Sequence, residues 1–380
     1  MRNRNDTLQV LRALAFLGIF TCHSGIAAFS AGGAWGVSVF LILSGFLMFC
    51  SYSETNRVKE YGIAYSIRFG IGKIKKLYPL HIVTLLLALP FLVYEYRGYI
   101  GIGKILNPAL KIAANVTLMQ SWVPTSGVYF SLNAVSWYLS TALFLYIMFP
   151  VILHIMGKYT NRRTGIIMIL CTFAAQAAMD YIFYRVQMYL LYNDKLIHWF
   201  TYIFPLSRLG DFFIGCNLGY VYKNAKESKN PPTTVSTLLE IGIIGIIMIQ
   251  WLIYVLVVTI PAKADPSINP DKWWSLTVFW TLSSCALIYL FAKHDGKISQ
   301  FLTSRPLVFV GNLSANAFLI HQIVYRYVGV IEHRVFGSNS SGYIELFVCF
   351  LITMLSSYLW DKIYLLIKCK AGKKNLAVKK

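Results

Sequence analysis

The chain has 380 residues, of which 57% are hydrophobic, 16% aromatic and only 13% charged. A soluble domain carries about 25% charged residues, so the composition speaks against a water-soluble enzyme. The formal charge of +20 does not make it a nucleic-acid binder either, because the Lys and Arg lie in short segments between apolar runs, as orientation in a membrane requires.

Those runs approach the ~20 apolar residues that cross a bilayer as a helix. They are continuous rather than alternating, which argues against membrane-spanning β-strands. In chain order the predicted spans are residues 7–28, 34–52, 78–96, 135–156, 164–184, 198–222, 235–260, 273–293, 306–330 and 344–367. The expected fold is all-α and polytopic, with about ten transmembrane helices. Residues 1–368 read as a single transmembrane domain, and 369–380 as a basic cytosolic tail. An even number of spans puts both termini on one side, and that side carries 23 Lys and Arg against 8 on the other. The excess places both termini in the cytosol. The first span reads as a retained helix and not a signal peptide, because Arg12 interrupts its apolar region. The connection 97–134 is expected to contain an amphipathic helix. The seven cysteines are scattered without a CxxC pair. They read as small apolar side chains, with no disulfide framework and no metal site.

An Arg or Lys at the centre of a spanning helix costs about 2.5–3.5 kcal/mol on insertion scales, so ionisable residues inside spans need a reason. The first span, LRALAFLGIFTCHSG, carries Arg12 and His23. Arg12 alone is compatible with snorkelling to the head groups, and His23 alone with a hydrogen-bonded neutral imidazole. Eleven residues amount to three turns and about 20°, so the two share a face about 16 Å apart along the axis. They cannot touch, but they can flank one long cavity. Glycines 32, 33, 36 and 45 in the second span permit close helix contact, and Ser44-Gly45 can loosen the helix locally. In RFGIGKIKKLYPLH, Lys73 and Lys76 are one turn apart and expected to point the same way. They serve either orientation or phosphate binding, and Pro79 fits the first turn of the next helix. Trp137 and Tyr138 open the fourth span and suit an interfacial belt. Arg208 and Asp211 are placed to compensate each other within the sixth. Asn312, Ser314, Asn316 and His321 give the ninth a polar face suited to a cavity and not to lipid.

Six ordered motifs, Arg12 to His23, Gly36 to Phe46, Lys73 to Pro79, Trp137 to Pro150, Arg208 to Gly215 and Gly311 to His321, together resemble the acyltransferase-3 family of membrane acyltransferases over almost the whole chain. The resemblance implies transfer of an acyl group, usually acetyl from cytosolic acetyl-CoA, to a hydroxyl of a cell-surface or lipid-linked glycan in the bacterial inner membrane. No metal and no nucleic acid enter. The implied partners are acyl-CoA, the glycan acceptor and membrane lipids, with the oligomeric state left open. It implies His23 and Arg12 as catalytic residues, with His23 acting as general base or as transient acyl carrier. Lys73, Lys76 and Arg12 would hold the donor's phosphates. Ser44, Trp137, Arg208, Asn316 and His321 would line the acceptor site. The chain departs from the family pattern in having Lys where Arg is usual at 73 and 76, Ala142 where an acid is common, and Ser38 where Asp is common. Lys keeps the charge but loses the bidentate fork, and the missing acids speak against a mechanism that needs a carboxylate partner for His23. With no soluble domain after the tenth span, the stand-alone form is expected. The alternatives are a transporter or flippase of glycan or lipid intermediates, which would also need intramembrane charges, and a glycosyltransferase, for which acids in the spans are sparse.

Overall fold

The computed structural model describes residues 2–53, 62–98, 101–191, 195–225, 231–265, 267–268, 271–337 and 342–377. Among these there is no strand. The helices are α1 (Arg2–Cys22), α2 (Gly32–Tyr52), α3 (Ile63–Ile74), α4 (Tyr78–Glu95), α5 (Gly103–Val116), α6 (Ser126–Tyr129), α7 (Trp137–Met156), α8 (Arg162–Arg185), α9 (Lys195–His198), α10 (Pro205–Lys223), α11 (Thr233–Tyr254), α12 (Ile260–Ala264), α13 (Val278–Lys293), α14 (Lys297–Leu302), α15 (Arg305–Phe336) and α16 (Gly342–Ala377).

All ten expected spans are helical. Seven are long and apolar enough to cross a membrane, namely Ala27–Tyr52, Tyr78–Glu95, Ala134–Met156, Arg162–Tyr189, Thr233–Ala264, Arg305–Val335 and Gly342–Lys368. The other three expected spans fall on α1, α10 and α13. A helix surrounded by protein is free to carry polar groups that lipid would reject. Accordingly α10 buries Ser207, Arg208, Asp211 and Asn217, and α13 is only 16 residues long. On the outside, α11 and α16 present Leu238, Leu239, Ile246 and Ile249, and Leu351, Leu355, Leu359 and Leu366, as a lipid-facing surface does.

The centre is set by glycines. α2 packs against α1, α10 and α13, and α1 also packs against α15. A Cβ at Gly45 would collide with the carbonyl oxygen of Phe212, and one at Gly215 with that of Ile42. The same holds for Gly32 against Gly18, Gly36 against the carbonyl of Ala15, and Gly311 against that of Gln9. Small residues thus bring backbones into direct contact, which is how helices associate where no water drives them together. The glycine contacts expected of the second span are present, while α2 runs unbroken through Ser44-Gly45 and shows no loosening there.

Three segment ends differ from expectation. α1 stops at Cys22, and Gly25, with φ +73°, turns the chain back into α2; only glycine takes that conformation without strain. α3 stops at Ile74, and Lys75 to Leu77 form a turn before α4, which has Pro79 in its first turn. Lys73 and Lys76 therefore do not share a helix face. The basic tail continues α16 as far as Ala377, and 378–380 lie outside the described residues, as do 54–61 of the basic segment 53–77.

The connection 97–134 contains the amphipathic α5, which exposes Ile105, Leu106 and Leu110 and anchors Lys111 on Glu95 at 2.6 Å. Its second half folds inward on buried polar groups. Asn133 donates to the carbonyl of Leu319 at 2.8 Å and to Thr84 at 3.0 Å. Asn115 donates to Ser131 at 2.8 Å, and Ser121 to the carbonyl of Trp137 at 2.7 Å. Backbone groups of a buried loop must be paired somewhere, and these side chains do it.

Because Gly45 meets a carbonyl while Gly72 on α3 has nothing within 4 Å of its would-be Cβ, Gly45→Val is expected to cost at least the ~1–3 kcal/mol of an overpacked core. A thermal melt in detergent should show a lowered transition for Gly45→Val and none of that loss for Gly72→Ala.

Candidate active site

Two cavities meet inside the bundle. The first, of about 240 Å³, is lined by Arg12 of α1, Ser44 of α2, Lys73 of α3, Tyr138, Ala142 and Tyr146 of α7, and Phe318 of α15, among others. The Lys73 ammonium contacts the Tyr52 hydroxyl and lies over its ring at 4.0 Å from the centroid, a cation–π arrangement. The hydroxyls of Tyr138 and Tyr146 both turn to Ser44. The remaining wall is aliphatic, from Leu43, Leu47, Ile74, Leu77 and Leu319. A slender apolar arm with an anionic head fits such a lining, whereas 240 Å³ leaves no room for a whole nucleotide. The exposed Lys75 and Lys76 stand outside it, in the turn that follows α3.

The second cavity, of about 370 Å³, is lined by Cys22 and His23 at the end of α1, Gly33 and Val37 of α2, Phe130 and Val135 of the inward-folded loop, Trp137, Tyr202, and Phe318 and Gln322 of α15. His23 follows the last residue of α1 and is exposed to this space. Its Nδ1 is 2.7 Å from the carbonyl oxygen of Ile19. A carbonyl only accepts, so Nδ1 carries the hydrogen and Nε2 keeps the lone pair. His321 repeats the arrangement. It is fully buried, its Nδ1 donates to the carbonyl of Phe318 at 2.7 Å, and its Nε2 has no hydrogen-bond partner among the described residues. The two imidazoles stand edge to face with centroids 5.0 Å apart. With Nδ1 donating in both rings, the Nε2 of His23 and the Nε2 of His321 each keep a lone pair that can accept a proton.

The structure brings together most of the expected residues, with corrections. Arg12 and His23 do not flank one long cavity. They line different cavities, which adjoin at Phe318. Ser44 and Lys73 join Arg12, while Trp137 joins His23, buried and not in an interfacial belt. His321 reaches His23 through ring contact. Lys76 lines neither cavity. Asn316 is buried but lines neither, and Ser314, beside it, satisfies itself on the carbonyl of Gly311. Asn312 is exposed.

Arg208 also lines neither. It is fully buried, paired with Asp211 at 3.1 Å, and lies 5.6 Å from the Tyr202 ring centroid. Its Nε and Nη1 have no hydrogen-bond partner among the described residues. Thr281 donates to Asp211 at 3.4 Å, and Thr277 donates to Asp180 at 2.9 Å. This ionic cluster joins α8, α10 and α13 and reaches the His23 cavity through Tyr202, whose hydroxyl donates to the carbonyl of Gly33 at 3.1 Å. Tyr202, Gln322 and Tyr146 are site residues that the sequence did not single out. Gln322, which accepts from the amide of Val135 at 3.0 Å, follows His321 directly and could have been found from it. Nothing in the sequence marks Tyr202. Ala142 lines the Arg12 cavity, and Ser38 is fully buried with its hydroxyl unpaired among the described residues.

A family model described as an acyltransferase domain matches residues 5–360. The acyltransferase MdmB of Streptomyces mycarofaciens is 24% identical, over 88% of this chain and 82% of that protein. The O-acetyltransferase OatA of Staphylococcus aureus is 23% identical over 84% of this chain. That match takes in only 50% of OatA, so the chain spans about half the length of that relative. No solved structure matches. With the family match covering nearly the whole helical bundle and both cavities, the chain belongs to the acyltransferase-3 family and is a membrane acyltransferase.

Proposed function

We propose that this enzyme moves an acetyl group from cytosolic acetyl-CoA to a hydroxyl of a cell-surface or lipid-linked polysaccharide, in a bacterial inner membrane with both termini in the cytosol. The observation that carries this reading is the abutment of a cationic cavity, holding Arg12 and Lys73, with a cavity holding His23. The donor is anionic at one end and carries its thioester at the other. Its phosphates would sit at the mouth beside Lys73 and Arg12, with the pantetheine arm along the aliphatic wall. The thioester would then reach the His23 cavity, where the acceptor hydroxyl waits.

In this reading His23 acts as general base. Its Nε2 lone pair takes the hydroxyl proton as the oxygen attacks the thioester carbonyl. The tetrahedral intermediate collapses with cleavage of the carbon–sulfur bond, and the imidazolium returns the proton to the departing thiolate. The products are the acetyl ester and free CoA. The hydrogen bond from Nδ1 to Ile19 sets the tautomer that this requires. His321 supports the imidazolium as a second neutral ring 5.0 Å away. Trp137 and Tyr202 shape the acceptor side.

His23→Ala is expected to reduce transfer by about 10²–10⁴-fold, the usual contribution of a general base, while the protein still inserts and melts normally. Mass spectrometry of surface glycans from cells carrying wild type or the variant reads both the acyl group and the acceptor. Normal acylation by the variant would remove His23 from the mechanism. Lys73→Ala is expected to weaken acetyl-CoA binding by about tenfold, in line with loss of a charged hydrogen bond, and Lys76→Ala by clearly less. Titration calorimetry on the purified protein decides this, and equal losses for the two would return Lys76 to the binding site.

A further inference from the structure

Phe318, which lines both cavities, packs in a cluster of three aromatic rings from three helices. Phe40 of α2 and Phe318 of α15 have centroids 6.2 Å apart, Phe40 and Tyr138 of α7 are 6.3 Å apart, and Tyr138 and Phe318 are 5.2 Å apart. All three pairs meet edge to face, with interplanar angles of 60–68°. All three rings line the Arg12 cavity, and Phe318 alone of them lines the His23 cavity as well. A ligand with its anionic head at Arg12 and its reactive end at His23, about 16 Å along α1, has to pass Phe318, where the two cavities adjoin.

We infer that Phe40, Tyr138 and Phe318 form a partition between donor and acceptor cavities, that Phe318 swings aside to admit the acyl end of the donor, and that Phe318 sets the size of acyl group accepted. This rests on the acyl-CoA reading above. The moving part is a side chain and not the helix. The backbone carbonyl of Phe318 is held by His321 Nδ1 at 2.7 Å, so the ring can turn about its own χ angles while the imidazole pair stays in place. Edge-to-face contacts are individually weak and separable. With the ring in place, the cationic cavity is closed off from the imidazoles. Past the ring, the wall that would meet the acyl group is apolar, from Val37, Val135 and Trp137, so its fit is a matter of size.

Cys22 supplies a reporter that does not depend on catalysis, since it lines the His23 cavity. The full chain is reconstituted in liposomes and a membrane-impermeant thiol reagent is added to the face carrying Lys75 and Lys76. Cys22 modification is then followed by peptide mass spectrometry. Phe318→Ala should raise the Cys22 rate at least tenfold over wild type. It should also raise the ratio of butyryl to acetyl transfer at least about tenfold, the lower end of what one of the two added methylenes is worth in an apolar pocket. Phe318→Leu, which keeps an apolar side chain, should give intermediate values, and it carries the test if the Ala variant fails to melt cooperatively. Unchanged Cys22 labelling in a folded variant overturns the partition. Faster labelling with an unchanged butyryl-to-acetyl ratio overturns the assignment of acyl size to Phe318. Faster labelling in a protein whose wild type transfers no acyl group from any acyl-CoA leaves the partition standing and overturns the acyl-CoA reading instead.

Discussion

Backbone-to-backbone contact at a few glycines is the constraint on which the rest depends. Gly45 and Gly215 lock α2 to α10, Gly32 and Gly36 lock α2 to α1, and Gly311 locks α15 to α1. In hydrocarbon there is no hydrophobic force to press helices together, so close approach and dispersion must do it. The result is a core in which side chains from different helices reach one another with little intervening bulk. Arg12 and Ser44 come to one cavity because α1 and α2 touch. His23 and His321 face each other at 5.0 Å because α1 and α15 touch.

The charged groups then divide by role according to what surrounds them. Arg208 and Asp211 pair in full burial and, with Asp180, Thr277 and Thr281, tie α8, α10 and α13 together. Removing one partner of such a pair leaves an uncompensated charge, which makes the pair a structural commitment. Arg12 and Lys73 differ, since both face a cavity and neither is matched to a carboxylate among the described residues. Tyr202 touches both systems, with Arg208 over its ring and its side chain lining the His23 cavity.

The helices were legible in the sequence because long apolar runs have few alternatives, and the positions of His23, Arg12, Lys73, Ser44 and Trp137 at cavities followed from motifs that carry polar groups into apolar context. What was not legible depends on contacts between distant segments or on where a helix stops. Lys76 left its expected face because α3 ends two residues earlier, a boundary set by the turn into the Tyr78-Pro79 start of α4. Thr277 meets Asp180 across 97 residues of sequence, which no local pattern announces. The division into two cavities rests on Phe40 and Phe318, which in sequence are indistinguishable from ordinary core aromatics.

The hydrogen bond from His23 Nδ1 to Ile19 has a kinetic consequence. It occupies one ring nitrogen, so under the proposed chemistry Nε2 must both receive the proton from the hydroxyl and deliver it to the sulfur. A proton cannot pass through the ring to a second exit. Both oxygen and sulfur must therefore visit the same nitrogen within a single turnover, one arriving from each cavity. Such a catalyst works through a ternary complex, and its double-reciprocal plots for the two substrates intersect instead of running parallel.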